Sequence, residues 1–265
     1  MKDLVVIIPL HIFDKEVEKQ LKKAIESVPE DLDVIVSCKN DLADNVKKLS
    51  KKSKNLKVVP ALPDAPTDFC SLVNYGVANA DSKWFSILEY DDEYSPIWFD
   101  NFRKYADFYS DISVFIPMED LIDASDNKFI GIGNEAPWAS SFSNEIGYID
   151  NDCLQNFFDF YMTGSVFNRA DWDEVGGLKS PIKLTFWYEW LLRATYKGKK
   201  VYVIPKIGYS HKLGRPGSLI ESYKDTIDDK ESNFWVNVAR KEQFHKEIRD
   251  ISKFVYNPNV EEEKD

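Results

Sequence analysis

The chain has 265 residues, 43% hydrophobic and 14% aromatic, with a net charge of −11. That length buries one substantial core, and the acidic balance excludes a protein that grips nucleic acid through a general basic field, though not one with a local basic patch. Cys38, Cys70 and Cys153 are odd in number and form neither a CxxC pair nor a zinc spacing, which points to a reduced, cytoplasmic protein. No apolar run approaches the roughly 18–20 residues that span a bilayer. The Leu4–Leu10 run lacks the basic flank and cleavage site of a signal peptide.

The run Leu4–Ile8 is continuously apolar and β-branched, as in a strand buried on both faces, and it stops at Pro9. Asp14 caps a helix carrying Val17, Leu21, Ala24, Ile25 and Val28 at helical spacing, ended by Pro29. Asp33–Ser37 reads as a second strand, 41–53 as a lysine-rich helix and Leu56–Val59 as a third strand. A proline-rich loop, 60–68, precedes a helix over 69–80 and a fourth strand, Trp84–Leu88. A helix over 97–109 and a strand over Ser113–Pro117 follow. The stretch Glu119–Asn156 is polar and weakly periodic, and reads as a hairpin-bearing insertion. Met162–Asn168 is a strand, Asp171–Val175 a short helix, Trp187–Lys197 a helix and Val201–Ile204 the last core strand, stopped at Pro205. A charged amphipathic helix over 230–254, with Phe234, Val238, Phe244, Ile248 and Ile251 on one side, leads to an acidic tail. Strand and helix in alternation imply an α/β fold with a mostly parallel sheet and right-handed crossovers.

Acidic residues directly after a buried parallel strand lie at its carboxyl end, where open α/β sheets bind ligands. Glu89, Asp91 and Asp92 occupy that position after Trp84–Leu88. Oxygen ligands completed by phosphates suit Mg²⁺ or Mn²⁺.

The order of motifs resembles family 2 glycosyltransferases of the GT-A fold. It comprises Val6-Ile7-Ile8-Pro9, then Asn74-x-Gly76, Trp84 to Asp92 and Pro96, Gly164 to Arg169, Val175 to Leu178, and Glu189-x-x-x-Arg193 followed by Gly198 and Val203-Ile204-Pro205. The resemblance covers about residues 3–220, and the aromatic acceptor segment is similar to that of viral and phage-encoded members. It implies a single Rossmann-like GT-A domain over 1–220, with a nucleotide-sugar half (1–117) and an acceptor half (118–220). Residues 221–265 then form a C-terminal helical extension and acidic tail.

By the same resemblance Asp91 is the expected metal ligand, with Glu89 in the place of the family's first Asp and His211 completing the site. Asp92 orients the cluster or the sugar. Arg215 and Ser218, in a glycine-bearing turn, are expected on the diphosphate, as a guanidinium grips phosphate bidentately. Pro9, His11, Asn40 and Asp41 are expected around the base and ribose, with Asp68, Asn74 and Tyr90 as further nucleotide-sugar contacts. The chain departs from the family where a Glu-Asp pair should precede the last helix: Phe186-Trp187 stand there, leaving Glu189 as the expected base. Aromatic side chains fill cores first; the alternative is that Trp138, Trp187 and Tyr188 stack against the acceptor.

The expected activity is therefore a metal-dependent, inverting transfer from a nucleotide-sugar, with a UDP-sugar as expected donor, to a hydroxyl acceptor. That acceptor is a glycan or, if Lys179, Lys183, Lys197, Lys199 and Lys200 form a basic surface, a modified DNA base. The alternative is a catalytically inactive module that binds nucleotide-sugar or glycan. A nucleotidyltransferase would need a glycine-rich phosphate loop after Pro9, and none is present.

Overall fold

The computed structural model describes residues 3–50, 55–139, 145–216, 218 and 230–240. Its strands are β1 (Leu4–Leu10), β2 (Asp33–Cys38), β3 (Leu56–Pro60), β4 (Trp84–Ile87), β5 (Glu93–Tyr94), β6 (Ile112–Asp123), β7 (Phe129–Gly133), β8 (Val166–Asn168) and β9 (Lys200–Leu213). The helices are α1 (Lys15–Ser27), α2 (Ala43–Ser50), α3 (Phe69–Ala78), α4 (Trp98–Phe108), α5 (Asn151–Asn156), α6 (Arg169–Val175), α7 (Phe186–Tyr196) and α8 (Lys230–Arg240).

These strands form one sheet in the order β3-β2-β1-β4-β8-β6-β9-β5, with β7 added to the outer half of β6. From β3 to β4 it is parallel; β8 runs antiparallel between β4 and β6, and β6 and β9 are again parallel. All seven residues of β1 are buried. Alternate side chains feed two cores, Val5 and Ile7 on one face, Val6 and Ile8 on the other. That explains why β1 is apolar without alternation. The α/β layout expected from the sequence is the one observed.

The elements differ from the sequence reading where proline was taken as a stop. Pro9 sits inside β1, paired with Ser37, while the β4 ladder ends at Ile7 opposite Ile87. A proline beyond its neighbour's last bond loses nothing by lacking an N–H. Pro205 lies inside the 14-residue β9 rather than after it. The register against β6 jumps from Pro117–Ile204 to Met118–Ile207, and this bulge absorbs Pro205 and Lys206. The consequence is functional, because β9 then runs on as far as His211.

Within the expected insertion, β6 and β7 make the hairpin and α5 follows. The two-residue β5 pairs antiparallel with β9 and has no sequence signature of its own. The helix expected over 230–254 is described as far as Arg240; Phe244, Ile248, Ile251 and the acidic tail lie outside the described residues. Its Trp235 is fully buried and belongs to the same core as β1 and α7. The three cysteines are buried and unbonded, and no described helix is long and apolar enough to cross a membrane.

Candidate metal and nucleotide-sugar site

The acidic segment leaves β4 at its carboxyl end and turns at once. The Asp92 N–H donates to the Glu89 carbonyl at 3.2 Å. Such a turn brings its first and fourth residues to one side and sends the third elsewhere. The next two residues, β5, are clamped by β9, with Glu93 opposite Ser210. That register sets Asp92 against β9, where its carboxylate accepts the Lys212 N–H at 2.8 Å.

Glu89, Asp92 and His211 thereby each present a ligand atom, all within 4.8 Å of one another. Asp91 goes another way: its carboxylate is taken by Arg215. The expected ligand Asp91 is thus replaced in the cluster by Asp92, because the turn at Glu89 selects position 92. The Arg215 guanidinium also lies 5.0 Å over the Tyr90 ring.

The electrostatics of this cluster are those of a site short of positive charge. Burial, then the charge of Asp92, pushes Glu89 up to about 8. Burial raises Asp92 to about 6, with His211 pulling the other way. For His211, burial opposes the charged form, but Asp92, Glu119 and Glu89 prevail and lift its pKa to about 10.

Glu119, missed in the sequence, is wholly buried on β6, with its Oε2 3.2 Å from His211 Nδ1. This bond fixes the imidazole, as partner carboxylates of metal-bound histidines do. Burial pushes Glu119 itself up to about 7. Two buried oxygens in this neighbourhood, Glu119 Oε1 and Asp91 Oδ1, have no hydrogen-bond partner. Buried oxygens without donors, beside carboxylates with raised pKa values and an imidazole, fit a hard divalent cation.

Tyr209 completes the floor, its hydroxyl accepting the Glu89 N–H at 3.0 Å. Gly164 allows this approach: it has φ of +80°, and a Cβ there would stand 2.5 Å from the Tyr209 ring.

Of the other expected donor-side residues, Pro9 and His11 lie at the carboxyl end of β1, and the His11 and Tyr90 rings meet edge-on with centroids 6.3 Å apart. Burial, Lys39 and Arg215 lower the His11 pKa. Asn40 and Asp41 are exposed in a short turn after β2. Ser218 donates its N–H to the Arg215 carbonyl at 3.0 Å, closing a turn.

Asp68 and Asn74 are engaged in bonds within the fold. Asp68 caps α3 and accepts hydroxyl bonds from Ser71 and Ser180 at 2.8 and 2.6 Å. Burial works against its charge, but these bonds prevail and its pKa falls. Both ends of the Asn74 amide bond the Leu178 backbone, at 2.8 and 3.0 Å.

On the acceptor side Trp187 and Tyr188 are buried in the core, and Trp138 is partly buried against it. Trp138 donates to the Val203 carbonyl at 3.1 Å, Trp187 stacks on Phe167 with centroids 5.8 Å apart, and the buried Tyr188 hydroxyl bonds the Leu154 carbonyl. Besides Tyr209, the Tyr161 ring stands beside the cluster, 5.2 Å from the His211 ring.

Glu189 is fully buried; Arg193 grips both its oxygens at 2.8 and 2.9 Å, and Lys179 stands 3.5 Å away. Arg193 in turn donates to the carbonyls of Val175, Gly176 and Gly177. Glu189 thus ties α7 to the preceding loop, and no hydrogen bond joins it to the cluster among the described residues. The lysines that could have formed a basic surface are also engaged. Lys183 and Lys197 donate to carbonyls, Lys199 to Asp171 and Glu174, and Lys200 to Asp111.

No protein-family model and no curated protein matches the chain. Solved structures do. The S. aureus TarS fragment 1–349 superposes with a TM-score of 0.60 at 13% identity, covering 90% of this chain and 66% of that one. Its complex with UDP-GlcNAc gives 0.64 at 14% identity, covering 91% and 67%. The mannosyltransferase PcManGT from Pyrobaculum calidifontis, in complex with GDP-Man and Mn²⁺, gives 0.59 at 12% identity, covering 81% and 58%. The fold is a GT-A-like glycosyltransferase fold. The chain spans 66% of the TarS fragment and 58% of the mannosyltransferase, so it corresponds to part of each.

Proposed function

We propose that the chain is a metal-dependent, inverting family 2 glycosyltransferase that moves a sugar from a nucleoside-diphosphate sugar to a hydroxyl acceptor. The observation that carries this reading is the convergence of Glu89, Asp92 and His211 at the carboxyl end of β4, beside the Asp91–Arg215 pair. Neighbouring folds are described with UDP-GlcNAc and with GDP-Man and Mn²⁺, which suggests the donor class.

Glu89, Asp92 and His211 would hold the cation, Mn²⁺ or Mg²⁺, with Glu119 fixing the imidazole. When bound, the ion supplies charge neutralisation for the diphosphate. Arg215 supplies a second positive charge. A diphosphate offers its guanidinium the bidentate partner that Asp91 now provides. His11, Asn40 and Asp41, at the ends of β1 and β2, border the space for base and ribose, so residues 1–117 carry the donor and 118–220 the acceptor. Both oxygens of Glu189 are held by Arg193, which argues against it as the base.

The test is calorimetric titration of UDP-GlcNAc and GDP-Man into the full chain with Mn²⁺, together with nucleoside diphosphate release. Asp92→Asn should abolish the Mn²⁺-dependent part of binding. If no nucleotide-sugar binds in the presence of Mn²⁺, the proposal fails. The second reading, a binding module without turnover, is favoured by the closure of Glu189; binding without any diphosphate release would select it.

A further inference from the structure

The segment from Phe157 to Gly164 connects α5 to β8 and forms a wall of the site. Its far end is fastened at the cluster. The Gly164 N–H donates to the Ile87 carbonyl at 2.7 Å, and Thr163 Oγ1 lies 3.5 Å from His211 Nδ1. Tyr161 exchanges backbone bonds with the Asn134 side chain at 2.8 and 2.9 Å, and this asparagine also donates to the Pro117 carbonyl on β6. The Tyr161 ring is thus held against His211. At the near end, Phe157 and Phe160 pack together with centroids 5.0 Å apart, while Phe158 stands half exposed against Tyr188.

Between these aromatic anchors Asp159 is exposed, and it makes no hydrogen bond or ion pair among the described residues. The other carboxylates near the site face the cation cluster or a basic partner. Glu89 belongs to the cluster, Glu119 turns to His211, Asp92 to Lys212 and His211, Asp91 to Arg215, and Glu189 to Arg193. Asp159 lies two residues from Tyr161, whose ring meets His211, and an exposed carboxylate without a partner there has the freedom a proton acceptor needs.

We infer that Asp159 is the general base of the transfer, taking the proton from the acceptor hydroxyl at the wall formed by residues 157–164. The inference rests on the proposed function. As the acceptor oxygen bonds to the anomeric carbon, its proton passes to the Asp159 carboxylate. The bond from that carbon to the diphosphate oxygen breaks, and its electron pair leaves with the nucleoside diphosphate. With water as acceptor, the products are free sugar and nucleoside diphosphate. The surroundings suit the role: the crowding of the segment raises the Asp159 pKa, with the charge of His211 pulling the other way, and Tyr161 is the other titratable group that feels its charge. A carboxylate raised toward neutrality is a better proton acceptor than an ordinary one.

The experiment compares wild type, Asp159→Asn and Asp159→Ala as full chains with Mn²⁺ and UDP-GlcNAc or GDP-Man. Donor binding is followed by calorimetry, and diphosphate release with water as acceptor gives the rate. Donor affinity should stay within about twofold of wild type, since a base acts on the transition state. Release should fall by roughly 10²–10⁴-fold in both variants. Added formate should restore part of the rate to Asp159→Ala, where it can occupy the vacated space, and not to Asp159→Asn; a merely structural aspartate would show no such rescue. Release at the wild-type rate by Asp159→Asn, with donor binding intact, overturns the inference and leaves the proposed function standing. Donor binding by the wild type without any release also overturns it. Failure of the wild type to bind either donor removes the proposed function itself.

Discussion

Replacing Glu231 by alanine removes one carboxylate from beneath the entrance of α7. That carboxylate, fully buried on α8, accepts the backbone N–H groups of Lys183, Leu184 and Thr185 at 3.0, 2.7 and 2.7 Å, and the Thr185 hydroxyl at 2.8 Å. These donors lie in the segment that leads into α7, and Thr185, the residue before the helix, makes no side-chain cap of its own. Glu231 therefore holds the entry to α7 from a helix more than forty residues away. Each bond to a charged acceptor contributes about 1.5–3 kcal/mol, and donors left buried without a partner lose most of that. Allowing for water reaching some of the four, the loss should be about 3–5 kcal/mol, a large share of a typical total of about 5–15 kcal/mol. Glu231→Gln retains the shape and one accepting oxygen and should cost less than half as much. Urea unfolding followed by tryptophan fluorescence measures both, with an unchanged m-value showing that the two-state reference is intact. A loss below about 1 kcal/mol for Glu231→Ala would show that the contact with α8 does not hold the segment leading into α7 in solution.

Glu119→Gln should weaken Mn²⁺ binding by about 10–100-fold in a paramagnetic-resonance titration, because the His211 ring loses the carboxylate that orients it; unchanged affinity would remove Glu119 from the site. The acidic cluster should make metal binding steeply pH-dependent. Glu89, Glu119 and Asp92 have folded pKa values raised from ordinary values of 4.5, 4.5 and 3.8 to about 8, 7 and 6. Raised carboxylates contribute stability below their unfolded values and lose it as pH rises through the folded ones, so the metal-free protein should become less stable between about pH 4 and pH 8. Mn²⁺, which needs the deprotonated forms, should bind more tightly across pH 6–8 with proton release, measurable as calorimetric heats that depend on buffer ionisation. Gly164→Ala should destabilise by about 2–4 kcal/mol in the same urea assay, through an unfavourable φ and a clash with Tyr209; a neutral result would mean the segment shifts freely.

The residues of β1 to β4 and the helices between them specified their own elements by local pattern. An unbroken apolar strand can be satisfied only by burial on both faces, and Asp14 as a cap and the alternation of periods leave few other arrangements. The position of Glu89 to Asp92 after a buried strand was legible for the same reason, since a charged run must emerge where the strand does. Which of those carboxylates meets His211 was decided by tertiary structure. It depends on a turn closed from Asp92 to Glu89 and on the pairing of β5 with β9, more than a hundred residues apart in sequence. Glu119 and Asp159 were invisible for a similar reason. One is the first of two adjacent acids on a strand, the other a single acid in an aromatic run; burial against His211 distinguishes Glu119, and a place two residues from Tyr161 distinguishes Asp159. The burial of Glu189, Trp187 and Tyr188 was equally illegible, because a carboxylate or an aromatic ring looks the same in sequence whether it faces a cleft or a closed partner. The local pattern determines what a segment becomes; long-range register and burial determine which of its side chains are left free to act.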